Sequence, residues 1–135
     1  MTVYERMEQL TKGKNFKSDQ IIQVRIGVLS KFTDEQMALY VDEKYNSDQM
    51  EQIRCGLEMG LTDEQINIYA EPNFNSDQMY EIKQGLEDGL TIEQVKIYAD
   101  NKYNWKQMEV LRKILENKKD KKFINTMKQI LEIRR

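Results

Sequence analysis

The chain of 135 residues has no histidine, one cysteine (Cys55) and one proline (Pro72). Nor does it contain an apolar run near the ~20 residues that a membrane-spanning helix needs. Without histidine it lacks the commonest general base, the commonest transition-metal ligand and any Ser/His or Cys/His nucleophile arrangement. A lone cysteine makes no internal disulfide, which agrees with a reducing compartment. No charged n-region leads into an apolar h-region, so the expected location is the cytoplasm. No glycine- or serine-rich stretch offers a linker, and a chain of this length fits one domain, 1–135.

Charge is plentiful. Apolar residues make up 39% of the chain and charged residues 33%, above the usual ~25%. That balance suits a helical protein with long solvated faces. The order within it is a repeat. The pentapeptide Asn-Ser-Asp-Gln-Met stands at 46–50 and again at 75–79, and a shift of 29 residues aligns far more than these five. Ser18, Ser47 and Ser76 coincide, as do Gln20, Gln49, Gln78 and Gln107. So do Phe16, Tyr45, Phe74 and Tyr103; Gly27, Gly56 and Gly85; Thr33, Thr62 and Thr91; and Tyr40, Tyr69 and Tyr98. A period between ~20 and ~50 residues signals stacked supersecondary units.

Each unit reads as two helices. Ser47 is a candidate N-cap, after which Met50, Ile53, Leu57 and Leu61 fall on one stripe. Gly60 and Gly89 supply left-handed stops. Thr33, Thr62 and Thr91, each with glutamine three residues on, open a shorter helix with a capping box. Pro72 and the asparagine-rich turns end it. The expected fold is therefore all-α, a short solenoid-like stack of four helical hairpins at 16–44, 45–73, 74–102 and 103–135. Capping helices are expected at both ends, the first over 2–12 and the last from about Asp120 to Arg134.

Recurring positions admit a packing role or a binding role. Gly27, Gly56 and Gly85 lie mid-helix, where glycine costs ~1 kcal/mol against alanine; close approach of the paired helix explains them. Tyr40, Tyr69 and Tyr98 suit packing between units with the hydroxyl at the rim, or an aromatic ladder for a ligand. Arg25, Arg54, Lys83 and Arg112 put a basic residue at one place in every unit. They would form either a ladder along a nucleic-acid backbone or ordinary helix-surface pairs with Glu58, Glu87 and Glu116, each four residues on. Asp19, Asp48 and Asp77 sit in first turns, where the helix dipole favours them. No calcium loop, phosphate-cradling glycine motif or acid/base pair of carboxylates is present. Nothing flanks Cys55 to activate it. No cofactor or metal is expected, and the chain is read as non-enzymatic.

The net charge of −2 hides a division. Residues 33–101 hold 16 acidic and 4 basic side chains, whereas residues 102–135 hold 4 acidic and 11 basic. An acidic body fits a basic groove on a partner that handles nucleic acid. A basic end fits phosphate, with a helical hairpin as reader. Head-to-tail self-association through oppositely charged ends is a third reading, and would be salt-sensitive.

The pattern Gln-Met-x-x-Ile-Arg-x-Gly-Leu-Glu-x-Gly-Leu followed by Ile-Tyr-Ala resembles short helical repeats in proteins of phages and mobile elements of gut Firmicutes. The resemblance covers about 16–116, best at 45–100, and implies a setting rather than an activity. In that setting, small acidic proteins without histidine inhibit host defence nucleases, anti-CRISPR proteins among them. The expected function is binding of a basic, nucleic-acid-binding host protein through an acidic face made by Asp42, Glu43, Glu51, Glu58, Glu81, Glu87 and Asp88. Trp105 stands where other units have serine; it is an anchor for the partner or packs on the terminal helix. The alternative is direct nucleic-acid binding by Arg25, Arg54, Lys83, Arg112, Lys118, Lys119, Lys121 and Lys122. Neither reading involves a membrane.

Overall fold

Nine α-helices and no strand are formed by the described residues, 1–117 and 121–133, of the computed structural model. After α1 (Val3–Thr11) come long helices α2 (Ser18–Leu29), α4 (Ser47–Glu58), α6 (Ser76–Glu87) and α8 (Trp105–Glu116). Between them lie short helices α3 (Asp34–Ala38), α5 (Asp63–Tyr69) and α7 (Ile92–Lys96), and α9 (Lys121–Ile133) follows. The long helices pack in chain order, α2 on α4, α4 on α6 and α6 on α8, with α1 against α2 and α9 against α8. Short helix α5 touches both α4 of its own hairpin and α6 of the next. The equivalent residues Val24, Ile53, Ile82 and Leu111 are fully buried, so the apolar stripe of each long helix feeds one continuous core.

The helix starts differ from expectation. Asn46, not Ser47, caps α4, and Asn75 and Asn104 cap α6 and α8. Each asparagine oxygen accepts the N–H three residues on, and that residue, a glutamine, accepts the asparagine N–H in return. Ser47 therefore occupies the first helical position, where its hydroxyl donates to Asp19 of the preceding hairpin (3.1 Å). The box is Asn-x-x-Gln, the counterpart of the Thr-x-x-Gln boxes that open α3, α5 and α7. At α2 the capping position is Lys17, which has no acceptor, and only the bond from its N–H to Gln20 (2.7 Å) remains.

Helices α2, α4 and α6 each end in a Schellman motif. The Leu61 N–H donates to the Gly56 carbonyl (3.0 Å) and the Gly60 N–H to that of Leu57 (3.1 Å), with Gly60 at φ 87°. The same pair of bonds closes α6 around Gly89 and α2 around Lys31, a lysine held at φ 61°.

Mid-helix Gly27, Gly56 and Gly85 admit the tyrosine of the following short helix. A Cβ built on them would lie 1.9, 2.1 and 2.2 Å from the hydroxyls of Tyr40, Tyr69 and Tyr98. Those hydroxyls are not at a rim. Each donates to a helix carbonyl within its own hairpin, of Gln23 (2.9 Å), Gln52 (2.8 Å) and Glu81 (2.7 Å) respectively. Burial pushes these phenols above their ordinary range.

Candidate interaction surface

The repeated glutamines join one hairpin to the next. While its oxygen completes the cap, the side-chain nitrogen of Gln20 donates to the Tyr45 carbonyl (2.6 Å) and that of Gln49 to the Phe74 carbonyl (2.6 Å). Gln78 reaches Tyr103 (2.7 Å) in the same manner, whereas Gln107 reaches Leu131 (3.2 Å) in α9 of its own hairpin. All four glutamines are buried, so both ends of each amide are matched inside the protein.

The basic ladder divides by burial. Arg25 is exposed, whereas Arg54, Lys83 and Arg112 are buried between neighbouring long helices. Arg54 donates from Nε to Gln23 of the preceding hairpin (2.9 Å) and from Nη1 to Glu58 (2.6 Å). Arg112 repeats the arrangement with Glu81 (3.2 Å) and Glu116 (2.9 Å), and Asp88 lies 3.6 Å away. Lys83 ion-pairs with Glu87 (3.6 Å) beneath the ring of Tyr80 (5.1 Å). Their charge is therefore matched internally, and these three do not form the expected solvent-facing ladder for phosphates. Local pairing with the glutamate four residues on was visible in the sequence; the partner 31 residues back was not. Lys118 and Lys119 lie outside the described residues, as does the side chain of Lys121, and Lys122 is exposed on α9.

The expected acidic face also divides. Glu81 is buried against Arg112 and is not available to a partner; burial, offset in part by that guanidinium, holds its carboxyl above the ordinary range. Asp42 and Glu43 lie in the loop before α4, where Asp42 accepts the Lys44 N–H (3.0 Å) and Glu43 that of Asn15 (3.0 Å). Glu51 is half-buried midway along α4. Glu58, Glu87 and Asp88 lie together at the opposite edge, where each long helix turns into a short one. Glu58 and Glu87 neutralise Arg54 and Lys83 there.

The same edge carries further carboxylates, in the first turns of the short helices. Asp34 and Glu35 open α3, Asp63 and Glu64 open α5, and Glu93 lies in the first turn of α7; all five are exposed. Glu35, Glu64 and Glu93 recur at 29 residues, the signal that could have marked them. Since Arg54 and Lys83 are buried, residues 33–101 present 12 exposed carboxylates and only two exposed cations, Lys44 and Lys96.

No protein-family model, curated protein or solved structure matches the chain. Its surface has to be read on its own chemistry.

Trp105 is 39% exposed at the first position of α8, with the Lys106 ammonium 5.6 Å from its ring. Cys55 is half-buried, and burial pushes its thiol up, away from nucleophile character. Among the described residues no group of three or more histidine, cysteine, aspartate or glutamate side chains is placed to hold a metal ion. None of the described helices is long and apolar enough to cross a membrane.

Proposed function

We propose that the protein is a non-enzymatic helical-repeat binding protein that seats its acidic edge in a basic groove of a nucleic-acid-binding partner. Taken with the resemblance to phage and mobile-element repeats, the role is that of an inhibitor of a host defence protein, anti-CRISPR-like in its logic. The observation that carries this reading is the burial of Arg54 and Lys83, which leaves the exposed charge of residues 33–101 almost wholly negative. A surface of that kind steers association with a basic partner and competes with the phosphates that partner binds.

Reversing Glu58, Glu87 and Asp88 together would be a poor probe, because two of them neutralise buried cations and their loss would disturb the fold. The exposed triplet Glu35, Glu64 and Glu93 is free of that defect. Each reversal there gives up only a first-turn dipole interaction of ~0.3–1 kcal/mol. Wild type and the triple variant Glu35→Lys, Glu64→Lys, Glu93→Lys are immobilised and exposed to host lysate at low and high salt. The expected result is salt-sensitive retention of nucleic-acid-binding proteins by wild type and its loss in the folded variant. Equal retention by both would refute the acidic-edge reading. Direct retardation of DNA or RNA by the wild-type protein would point instead to the basic fourth hairpin.

A further inference from the structure

A second surface lies at the other end of the chain and is independent of the acidic edge. Helix α2 breaks the pattern of its equivalents. Ile22 stands where α4 and α8 have Glu51 and Glu109, and Leu29 where α4, α6 and α8 have Glu58, Glu87 and Glu116. Both are exposed, at 56% and 57%. Ile21, on the same side, is 39% exposed, although its equivalents Met50, Met79 and Met108 are fully buried. With 3.6 residues per turn, Ile21, Ile22, Arg25 and Leu29 fall within about 100° of arc, the width of a stripe that packs against another helix.

Arg25 shows what the missing neighbour must carry. Its equivalents Arg54 and Arg112 each place Nε on a side-chain oxygen of the preceding long helix, Gln23 and Glu81. Arg25 itself is exposed and has no hydrogen-bond or ion-pair partner among the described residues. A second copy of this chain would not satisfy it. End to end through two α2 helices, arginine would face arginine. Head to tail, the equivalent position on α8 is Val110, which offers no acceptor, and α9 already packs on that helix. Residues 1–32 carry six basic and three acidic side chains, so an acidic occupant is favoured.

We infer that this side of α2 docks an amphipathic helix of a partner protein, one that bears an apolar stripe and a glutamate or glutamine to receive Arg25. The chain provides a template for such a helix, because α6 presents Glu81 to Arg112 in this arrangement. The probe is a fluorescent, hydrocarbon-stapled peptide copying residues 75–90, titrated into the full-length protein and followed by anisotropy.

Saturable binding is expected to weaken about tenfold in Arg25→Glu and in Ile22→Asp, both solvent-exposed changes whose folding is checked by circular dichroism. A peptide with Glu81→Lys should recover most of the lost affinity against Arg25→Glu and bind wild type poorly. Absence of saturable binding to wild type, undiminished binding to Arg25→Glu, or failure of the charge swap would each overturn the inference. So would light scattering that finds a wild-type dimer abolished by Ile22→Asp, because the occupant would then be a second copy.

Discussion

Replacing Lys83 by arginine is expected to stabilise the protein, even though it alters a buried charge. At the two equivalent junctions an arginine bridges backward and forward at once, Arg54 to Gln23 and Glu58, and Arg112 to Glu81 and Glu116. Lysine cannot fork in this way. The consequence is visible between α4 and α6, where the buried oxygens Gln52 Oε1 and Glu87 Oε1 accept no hydrogen bond from any described residue. These are the two atoms that an arginine at 83 would reach by analogy with its neighbours.

Two hydrogen bonds contribute about 0.5–1.5 kcal/mol each, and the lost contact of the ammonium with the Tyr80 ring removes about 0.5–1 kcal/mol. The balance is a gain of about 1 kcal/mol. With an unfolding entropy near 2.1 cal/mol/K per residue, over 135 residues this corresponds to a Tm rise of about 4 °C. The assay is thermal or urea unfolding of Lys83→Arg, with Gln52→Met as partner in a double-mutant cycle. Gln52→Met should be nearly neutral beside Lys83 and should cancel much of the gain beside arginine. If Lys83→Arg brings no gain, or one that Gln52→Met leaves untouched, the bridging argument is wrong.

Other substitutions test other parts of the fold. Gly56→Ala puts a methyl group 2.1 Å from the Tyr69 hydroxyl and should cost ~3 kcal/mol or more; adding Tyr69→Phe should recover part of it in urea unfolding. Lys31→Gly removes a side chain from a left-handed position (φ 61°) and should add about 0.5–1 kcal/mol, whereas the same change at Lys44 should not. Glu132 accepts from Lys102 (2.9 Å) and Tyr103 (2.9 Å), which holds its carboxyl below the ordinary range and ties α9 to the loop before α8. A lowered folded value means that this stabilisation is present above the unfolded value of about 4.3 and is lost as pH falls through the folded one. The protection factors of the α9 amides, exchange rates corrected for the intrinsic pH dependence, should therefore fall on acidification, and Glu132→Gln should flatten the response; an identical profile in both proteins would refute the assignment.

The helical class, the unit length and most of the buried positions were legible because they follow from a period and from local chemistry. Thr62 with Gln65, Gly60 after the stripe, and Met50, Ile53 and Leu57 within it all act within a few residues of themselves. Asn46 was missed because serine and asparagine both cap well, and the deciding mark was a glutamine three residues after Asn46 rather than after Ser47. The second bond of Gln49, the socket of Arg54 and the burial of Glu81 were not legible, because each depends on a residue 25 to 31 positions away. Exposure of Trp105 was equally hidden. An aromatic residue at the first turn of a helix looks the same in sequence whether or not another element covers it.

Gln20, Gln49 and Gln78 all point their amide nitrogens toward the following hairpin, and the carbonyl that each one grips belongs to the residue just before the next cap. Gln20 holds Tyr45, next to Asn46; Gln49 holds Phe74, next to Asn75; Gln78 holds Tyr103, next to Asn104. The order of one helix start is thereby handed to the next in a single direction along the chain. Loss of one amide should loosen the helix start on its C-terminal side more than on its N-terminal side, so the array has a polarity of cooperation although its units are near copies.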